Sequence, residues 1–259
     1  ASKRSPKVSP PVSKKLEATQ PKAVAAHSQS NLGQSQAKST RSPLEMIDTL
    51  SPQELIYEAE RALLSSTYPL ADHFLHPLKR QKSYESQAHL LLSLTSFMRG
   101  RIHLSSVYSH LSVQSNQEDD SKTKDMSSLM EESRRQSDSL ESLSQRWRSL
   151  LDQDATPMMS LAYLISTRDL WPDLNRVQLK NEQQRYPDAV VFKHLSLILM
   201  KHQNPEMYDK VMKSMCTHDQ DVPILLFECA KITESNHEVK LAQALFKKVL
   251  KLDDTLTEA

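Results

Sequence analysis

The clearest hydrophobic pattern of the chain lies between residues 223 and 256. Two apolar runs at helical spacing are separated by a polar break at Asn236. In the second run Ala242, Phe246 and Val249 stand three to four residues apart, so they form one stripe along a helix. The pattern predicts two helices that pack antiparallel against each other.

This helix pair resembles the tetratricopeptide repeat (TPR), a 34-residue unit with small residues at its positions 8 and 20. With position 1 at Pro223, those two positions fall on Ala230 and Ala242. Steps of 34 residues back along the chain give units that begin at Ala189 and Ala155 and keep the same register. The resemblance implies a chain of consecutive helix pairs.

Two further units begin at Pro52 and Ser86. Before the first of them, Ser51 and Glu54 have the spacing of a capping box around a helix start. In the second, Gly100 falls at the fifteenth position, where the TPR family often turns with glycine. The sequence therefore predicts an all-α fold, and the resemblance implies a TPR-like α-solenoid of antiparallel helix pairs.

Two segments interrupt this periodicity. Residues 1–43 contain eight Lys or Arg against the single acid Glu17, so we expect a disordered basic arm rich in serine and proline. Residues 113–137 are polar, charged and serine-rich, and we expect a disordered insertion there. The predicted order is the arm, N-terminal helical repeats at 44–112, the insertion, and C-terminal helical repeats at 138–259.

The arm also carries three Ser-Pro pairs, at Ser5, Ser9 and Ser42, which a proline-directed kinase can phosphorylate. A plain linker of the same composition is the alternative. The basic charge suits nuclear import or weak contact with nucleic acid. We therefore expect an intracellular phosphoprotein, in the nucleus rather than the cytoplasm.

Composition narrows the classes of function. Two glycines in 259 residues argue against a phosphate-binding loop or a dinucleotide fingerprint. The chain has no run of about 18 apolar residues, so we expect no transmembrane helix and no membrane partner. Cys216 and Cys229 are the two cysteines, and their spacing predicts buried thiols rather than a disulfide or a zinc site.

Patterns of catalytic or metal-binding residues are scarce. His73 and His76 stand three apart on a predicted helix without a third ligand beside them, so we expect no metal site. No serine or cysteine stands in a motif that pairs it with a base. Trp147 and Trp171 are interface anchors or core residues, and we expect core packing. The sequence thus predicts no enzyme, no cofactor and no small-molecule substrate.

The resemblance to the TPR family implies a concave face, lined by the first helices, that receives a peptide or a partner helix. On the last three units it assigns partner binding to Met159, Tyr163, Lys193, Leu197, Met200, Phe227, Lys231 and Glu234. Ile56 and Glu60 stand where co-chaperone members of the family hold a carboxylate with Lys and Asn, which argues against an adaptor for chaperone tails.

These observations predict a non-catalytic scaffold or adaptor subunit that binds protein partners within a larger intracellular complex. The alternative is a nucleic-acid-associated helical-repeat protein whose basic arm contacts phosphates, and steeply salt-dependent binding would favour it. A regulatory subunit of an enzyme complex is a third reading. Because the sequence ends directly after a helix with apolar residues, we expect a fragment, or a partner or second copy over that end.

Overall fold

The computed structural model describes residues 47–115, 121–136, 139–216 and 222–252. These residues form α-helices and two 3₁₀ helices, with no strand among them, so the all-α prediction is confirmed. The α-helices are α1 (Pro52–Leu64), α2 (Tyr68–Leu75), α3 (Glu85–Met98), α4 (Ile102–Gln114), α5 (Ser121–Arg135), α6 (Leu140–Asp154), α7 (Pro157–Thr167), α8 (Pro172–Arg185), α9 (Val190–Gln203), α10 (Pro205–Cys216), α11 (Pro223–Ser235) and α12 (Val239–Leu252), and the 3₁₀ helices are Ile47–Thr49 and His76–Arg80.

The basic arm at residues 1–43, with Ser5, Ser9 and Ser42, lies outside the described residues. The predictions made for this arm therefore stay predictions. Among the helices that are described, none combines the length and the apolar character needed to cross a membrane.

Helix α1 begins where its capping residues predict. The Ser51 hydroxyl accepts the backbone N–H of Glu54 at 3.4 Å, and the Glu54 carboxylate accepts the backbone N–H of Ser51 at 2.8 Å. Pro52 takes the first helical position, where a missing N–H loses no hydrogen bond. The predicted capping box is confirmed.

Three of the helix pairs turn in the same way. Ser66, Gly100 and His237 follow α1, α3 and α11 with positive φ angles of 63°, 74° and 65°. In each case this residue and the next donate their N–H groups to carbonyls of the preceding helix, at 2.8 to 3.1 Å. Gly100 follows Ser66 by 34 residues, and all three stand at the fifteenth position of their predicted units. One 34-residue step is therefore repeated, from Ser66 to Gly100, whereas the predicted units that begin at Ala155 and Ala189 lack this turn, because Asp169 and Gln203 at their fifteenth positions do not have a positive φ.

The predicted insertion contains a folded helix. Within 113–137, residues 121–135 form α5, whose side chains at Met126, Leu129 and Met130 are buried. The prediction of disorder is therefore wrong for the described part of this segment. Three apolar residues at helical spacing are enough to dock α5 on its neighbours α4 and α7, although the serine and charged residues around them obscure the pattern.

The two cysteines are joined. Cys216 at the end of α10 forms a disulfide with Cys229 on α11, with their Cα atoms 5.6 Å apart. The prediction of two separate thiols is wrong because α10 and α11 are consecutive helices in contact, so 13 residues of chain bring the sulfur atoms side by side.

The first helix pair also contacts a helix far along the chain. Helix α1 packs on α9, and α3 packs on both α5 and α7. Tyr68, at the start of α2, is buried with its hydroxyl oxygen 2.7 Å from Nδ1 of His194 on α9. In a simple solenoid each repeat contacts only its neighbours. The contact between Tyr68 and His194 departs from that arrangement and helps to form the cleft described below.

Trp147 lies in the core, as predicted. Its indole N–H donates to the Ser133 hydroxyl at 2.9 Å, and its ring meets the Tyr163 ring edge-on with the centroids 5.6 Å apart. Trp171 is half-buried before α8 and lines a shallow depression beside α6.

Candidate functional site

A cleft of about 470 Å³ opens where α2 and α3 meet α9, α10 and α11. This volume falls in the range of about 300 to 1,000 Å³ that is usual for ligand sites. Most of its lining is apolar, and the main apolar side chains are Phe97, Met98, Leu197, Ile198, Ile224 and Phe227.

Two helices contribute to the cleft with the same spacing. Each presents residues at i, i+3, i+4 and i+7, which lie along one side of an α-helix. On α9 these residues are His194, Leu197, Ile198 and Lys201, and on α11 they are Ile224, Phe227, Glu228 and Lys231. Each stripe therefore ends in a lysine one turn beyond the apolar residues.

A buried polar pair forms one wall of the cleft. Burial lowers the pKa of His194 to about 4, so its imidazole is neutral at pH 7. Burial also raises the pKa of the Tyr68 hydroxyl. That hydroxyl donates its one proton to Ser66 Oγ at 3.0 Å, so His194 Nδ1–H is the donor to the Tyr68 oxygen. His194 Nε2 then keeps its lone pair as a hydrogen-bond acceptor.

Glu228 is the one carboxylate among the described residues that line the cleft. It accepts the Tyr208 hydroxyl and the Lys231 ammonium, each at 3.1 Å. Burial acts to raise the pKa of Glu228, but the charge and the hydrogen bond of Lys231, together with the charge of Lys201, outweigh it and lower that pKa. Burial and the charge of Glu228 raise the pKa of Tyr208. At pH 7 the carboxylate is ionised and the phenol is neutral.

Cationic side chains border the apolar lining. The Lys231 ammonium lies 4.3 Å from the centre of the Phe227 ring, and the Lys201 ammonium lies 5.5 Å from the centre of the Tyr208 ring. Both lysines are exposed, so their charges face the solvent at the opening. The cleft thus offers apolar walls beneath a positive rim, which is complementary to an apolar group next to an acidic one.

The eight residues predicted to bind a partner do not share one surface. Those that line the cleft are Leu197, Phe227 and Lys231. The other five lie outside the cleft lining. Met159 and Tyr163 are buried on α7, Lys193 and Glu234 are exposed, and Met200 is half-buried.

Several residues of the cleft were not predicted. His194, Ile198 and Lys201 stand on the same side of α9 as Leu197, and the spacing that they share with residues on α11 was a usable signal. Tyr68 carries no such signal, because it reaches the cleft only through the packing of the first helix pair on α9.

In the described parts of the chain, no group of three or more His, Cys, Asp or Glu side chains is placed to hold a metal ion. His73 and His76 are both exposed, on α2 and at the start of the second 3₁₀ helix.

Comparison of the chain with protein-family models, with curated proteins and with solved structures finds no match. The likeness to TPR units therefore rests on the residue register and on the three hairpin turns.

Proposed function

We propose that this chain is a non-catalytic adaptor subunit that holds a segment of a protein partner in the cleft, within a larger intracellular complex. The observation that carries the proposal is the composition of the cleft, which joins apolar walls on α3, α9 and α11 to a rim with Lys201 and Lys231. A partner segment that fits it places an apolar side chain between α9 and α11 and a carboxylate near the lysines.

The energetics of the cleft favour binding of such a segment. Full burial of one Leu-sized or Phe-sized side chain is worth about 1.5 to 3 kcal/mol. Glu228 neutralises part of the charge of Lys231, while Lys201 contacts the Tyr208 ring. An acidic group on the partner therefore meets net positive charge at the rim, which steers its approach and fixes its orientation.

A TPR-like stacking of consecutive helix pairs is the arrangement that we propose, and the repeated turn after 34 residues supports it. The packing of α1 on α9 is a departure from a simple solenoid within this arrangement. The nuclear location and the phosphorylation of Ser5, Ser9 and Ser42 belong to the same proposal. Each phosphate would remove about 1.5 to 2 positive charges from the arm, and would so tune contacts that the arm makes. Because thiols are kept reduced in the nucleus, Cys216 and Cys229 would be separate thiols there.

Affinity purification with mass spectrometry tests the adaptor function. The test variant combines Lys201→Glu with Lys231→Glu at the rim of the cleft. The matched control combines Lys247→Glu with Lys251→Glu, which makes the same change of charge at exposed positions of α12. Thermal unfolding followed by circular dichroism checks that both variants are folded.

We expect one set of proteins that the wild type and the control retain and the cleft variant loses. Direct binding of the purified partner then confirms that the contact is not bridged. Equal partner sets for all three proteins would contradict the proposal. Association that disappears on nuclease treatment and falls steeply with salt would favour the nucleic-acid alternative instead.

A further inference from the structure

Helix α4 packs on α3 and α5 through its serine residues. Ser105, Ser109 and Ser112 form one buried stripe at spacing i, i+4, i+7. From α3, the Ser93 hydroxyl donates to the Ser105 carbonyl at 2.8 Å, and the Ser86 hydroxyl donates to the Ser112 carbonyl at 2.9 Å. The pairs made by Ser105 and Ser112 fix which side of α4 faces the interior, because breaking them would leave buried hydroxyls without partners. The Ser109 hydroxyl between them is buried without a hydrogen-bond partner.

The other side of α4 carries aliphatic residues. Leu104, Val107 and Leu111 stand at i, i+3, i+7, and we call them the α4 stripe. Leu104 and Val107 are 45% and 52% exposed, and Leu111 is half-buried. An ordinary surface helix buries its aliphatic side and exposes its polar side. Helix α4 instead buries a serine stripe and exposes Leu104 and Val107 beside the polar His103, His110 and Gln114, so its apolar stripe has the character of an interaction surface.

Positive charge flanks the α4 stripe on both sides. The Lys79 ammonium lies 5.8 Å from the centre of the Tyr108 ring on one flank of α4. On the other side of α4, Arg134 donates to the Ser106 hydroxyl at 3.1 Å, beyond the exposed His103 and His110 that lie between this serine and the α4 stripe. Arg134 and Arg135 share the carboxylate of Glu131, at 3.3 and 2.7 Å, so that flank keeps an excess of positive charge.

This charge distribution selects between possible occupants. A second copy of the chain that presented the same stripe would bring like charges together, which is unfavourable. A helix with acidic residues beside its apolar face is complementary on both flanks. The spacing of the α4 stripe also matches the i, i+3, i+7 anchors by which amphipathic helices dock.

We propose that the α4 stripe is the docking surface for an amphipathic helix of a protein partner, with acidic residues on both sides of its apolar face. The three stripe residues are not among those that line the cleft. The α4 stripe and the cleft are therefore separate surfaces. The docking proposed for the α4 stripe does not depend on whether the cleft binds a peptide.

A designed peptide tests the proposal with the full chain. The probe is a fluorescent amphipathic peptide of about 18 residues, or five helical turns, with leucine on one face and glutamate on the flanks. A second peptide has lysine in place of each glutamate. Fluorescence anisotropy should show the glutamate peptide binding on the order of tenfold more tightly than the lysine peptide.

The variant with Leu104→Ser and Val107→Ser should weaken binding of the glutamate peptide by on the order of tenfold. The matched control carries Leu174→Ser and Val177→Ser on α8, at the same spacing and with exposures of 44% and 60%, and it should bind like the wild type. A photoreactive leucine in the peptide, activated on the unmodified chain, should cross-link to α4, which locates the contact without any substitution.

Three results would overturn the proposal. The first is equal binding of the glutamate and lysine peptides, and the second is cross-links that map outside α4. The third is self-association of the chain that Leu104→Ser with Val107→Ser abolishes, because the occupant would then be a second copy.

Discussion

The Tyr68 hydroxyl oxygen lies 2.7 Å from His194 Nδ1, although the two residues stand 126 positions apart in the sequence. Their rings are also stacked, with the centroids 5.6 Å apart. This contact joins the start of α2 to α9, and both residues line the cleft. The shape of the proposed binding site therefore depends on a contact between distant parts of the chain.

Removing the Tyr68 hydroxyl should destabilise the fold. Tyr68→Phe leaves the buried Nδ1–H of His194 without its acceptor, and such a loss costs about 1 to 3 kcal/mol. Urea denaturation at pH 7 should show this decrease in the free energy of unfolding. Tyr57→Phe is the control, because the Tyr57 side chain is 60% exposed and its hydroxyl should contribute little. Equal effects of the two substitutions would show that the Tyr68 contact does not matter.

Stability should fall on mild acidification because of His194. The folded-state pKa is about 4, below the usual 6.5, so between these values the unfolded chain takes up a proton that the folded chain does not. The stability that the fold gains from holding His194 neutral is therefore complete above pH 6.5, and it is lost as the pH falls from 6.5 toward 4. At about 1.4 kcal/mol per pH unit, the loss from pH 7 to pH 5 is roughly 2 kcal/mol.

Urea denaturation of the wild type and of His194→Gln, each at pH 7 and at pH 5, measures the loss of unfolding free energy that is due to His194. Burial also lowers the pKa of His89, which acts with the same sign, but His89 is present in both proteins. The difference between the two slopes therefore reports His194 alone. The same pH dependence in both proteins would contradict the assignment.

Reduction of the disulfide should loosen α10. This helix docks through Tyr208, Met212 and Cys216, which stand four residues apart on one side. Loss of a disulfide that closes a loop of this length costs about 3 kcal/mol. Hydrogen exchange should become faster in α10 on treatment with a dithiol, while α1 keeps its protection. In the double variant Cys216→Ser with Cys229→Ser, α10 should exchange fast even without reductant. If exchange in α10 were unchanged in this variant, the disulfide would not be what holds the helix in place.

Helix α5 should contribute to the stability of the fold. Met130 is buried, so Met130→Ala should lower the free energy of unfolding by about 2 to 5 kcal/mol. Met207→Ala on α10 is the control, since that side chain is 48% exposed and its truncation should change the free energy little. A Met130→Ala protein as stable as the wild type would contradict the packing of α5 and would favour the original prediction that residues 113–137 are a disordered insertion.

Local features of the fold could be predicted from the sequence. Ser51 and Glu54, which stand three residues apart in the sequence, cap α1 through a capping box. Gly100 allows the turn after α3 because a residue without a Cβ adopts a positive φ easily. These features depend on a few neighbouring residues, so their patterns survive in the sequence. The helical periodicity from 189 to 252 is equally local, and the helices there follow it.

Features that depend on distant contacts could not be predicted in the same way. Cys216 and Cys229 become neighbours only through the packing of α10 on α11, and Tyr68 reaches His194 only when the first helix pair meets α9. The inward-facing serines of α4 also contradict the usual rule that aliphatic residues are buried. A repeat template predicts which positions pack within one unit. It contains no information about contacts between distant units, such as that of Tyr68 with His194.

The most direct test of the central claim is site-specific photo-crosslinking from inside the cleft in living cells. Benzoylphenylalanine replaces Ile198, which lines the cleft, and in a control protein it replaces Lys193, which is exposed outside the cleft lining. The adaptor account predicts cross-links from position 198 to one discrete set of proteins, abolished by Lys201→Glu with Lys231→Glu. Cross-links from position 198 that stay within the chain, or that reach the same proteins as those from position 193, would contradict it.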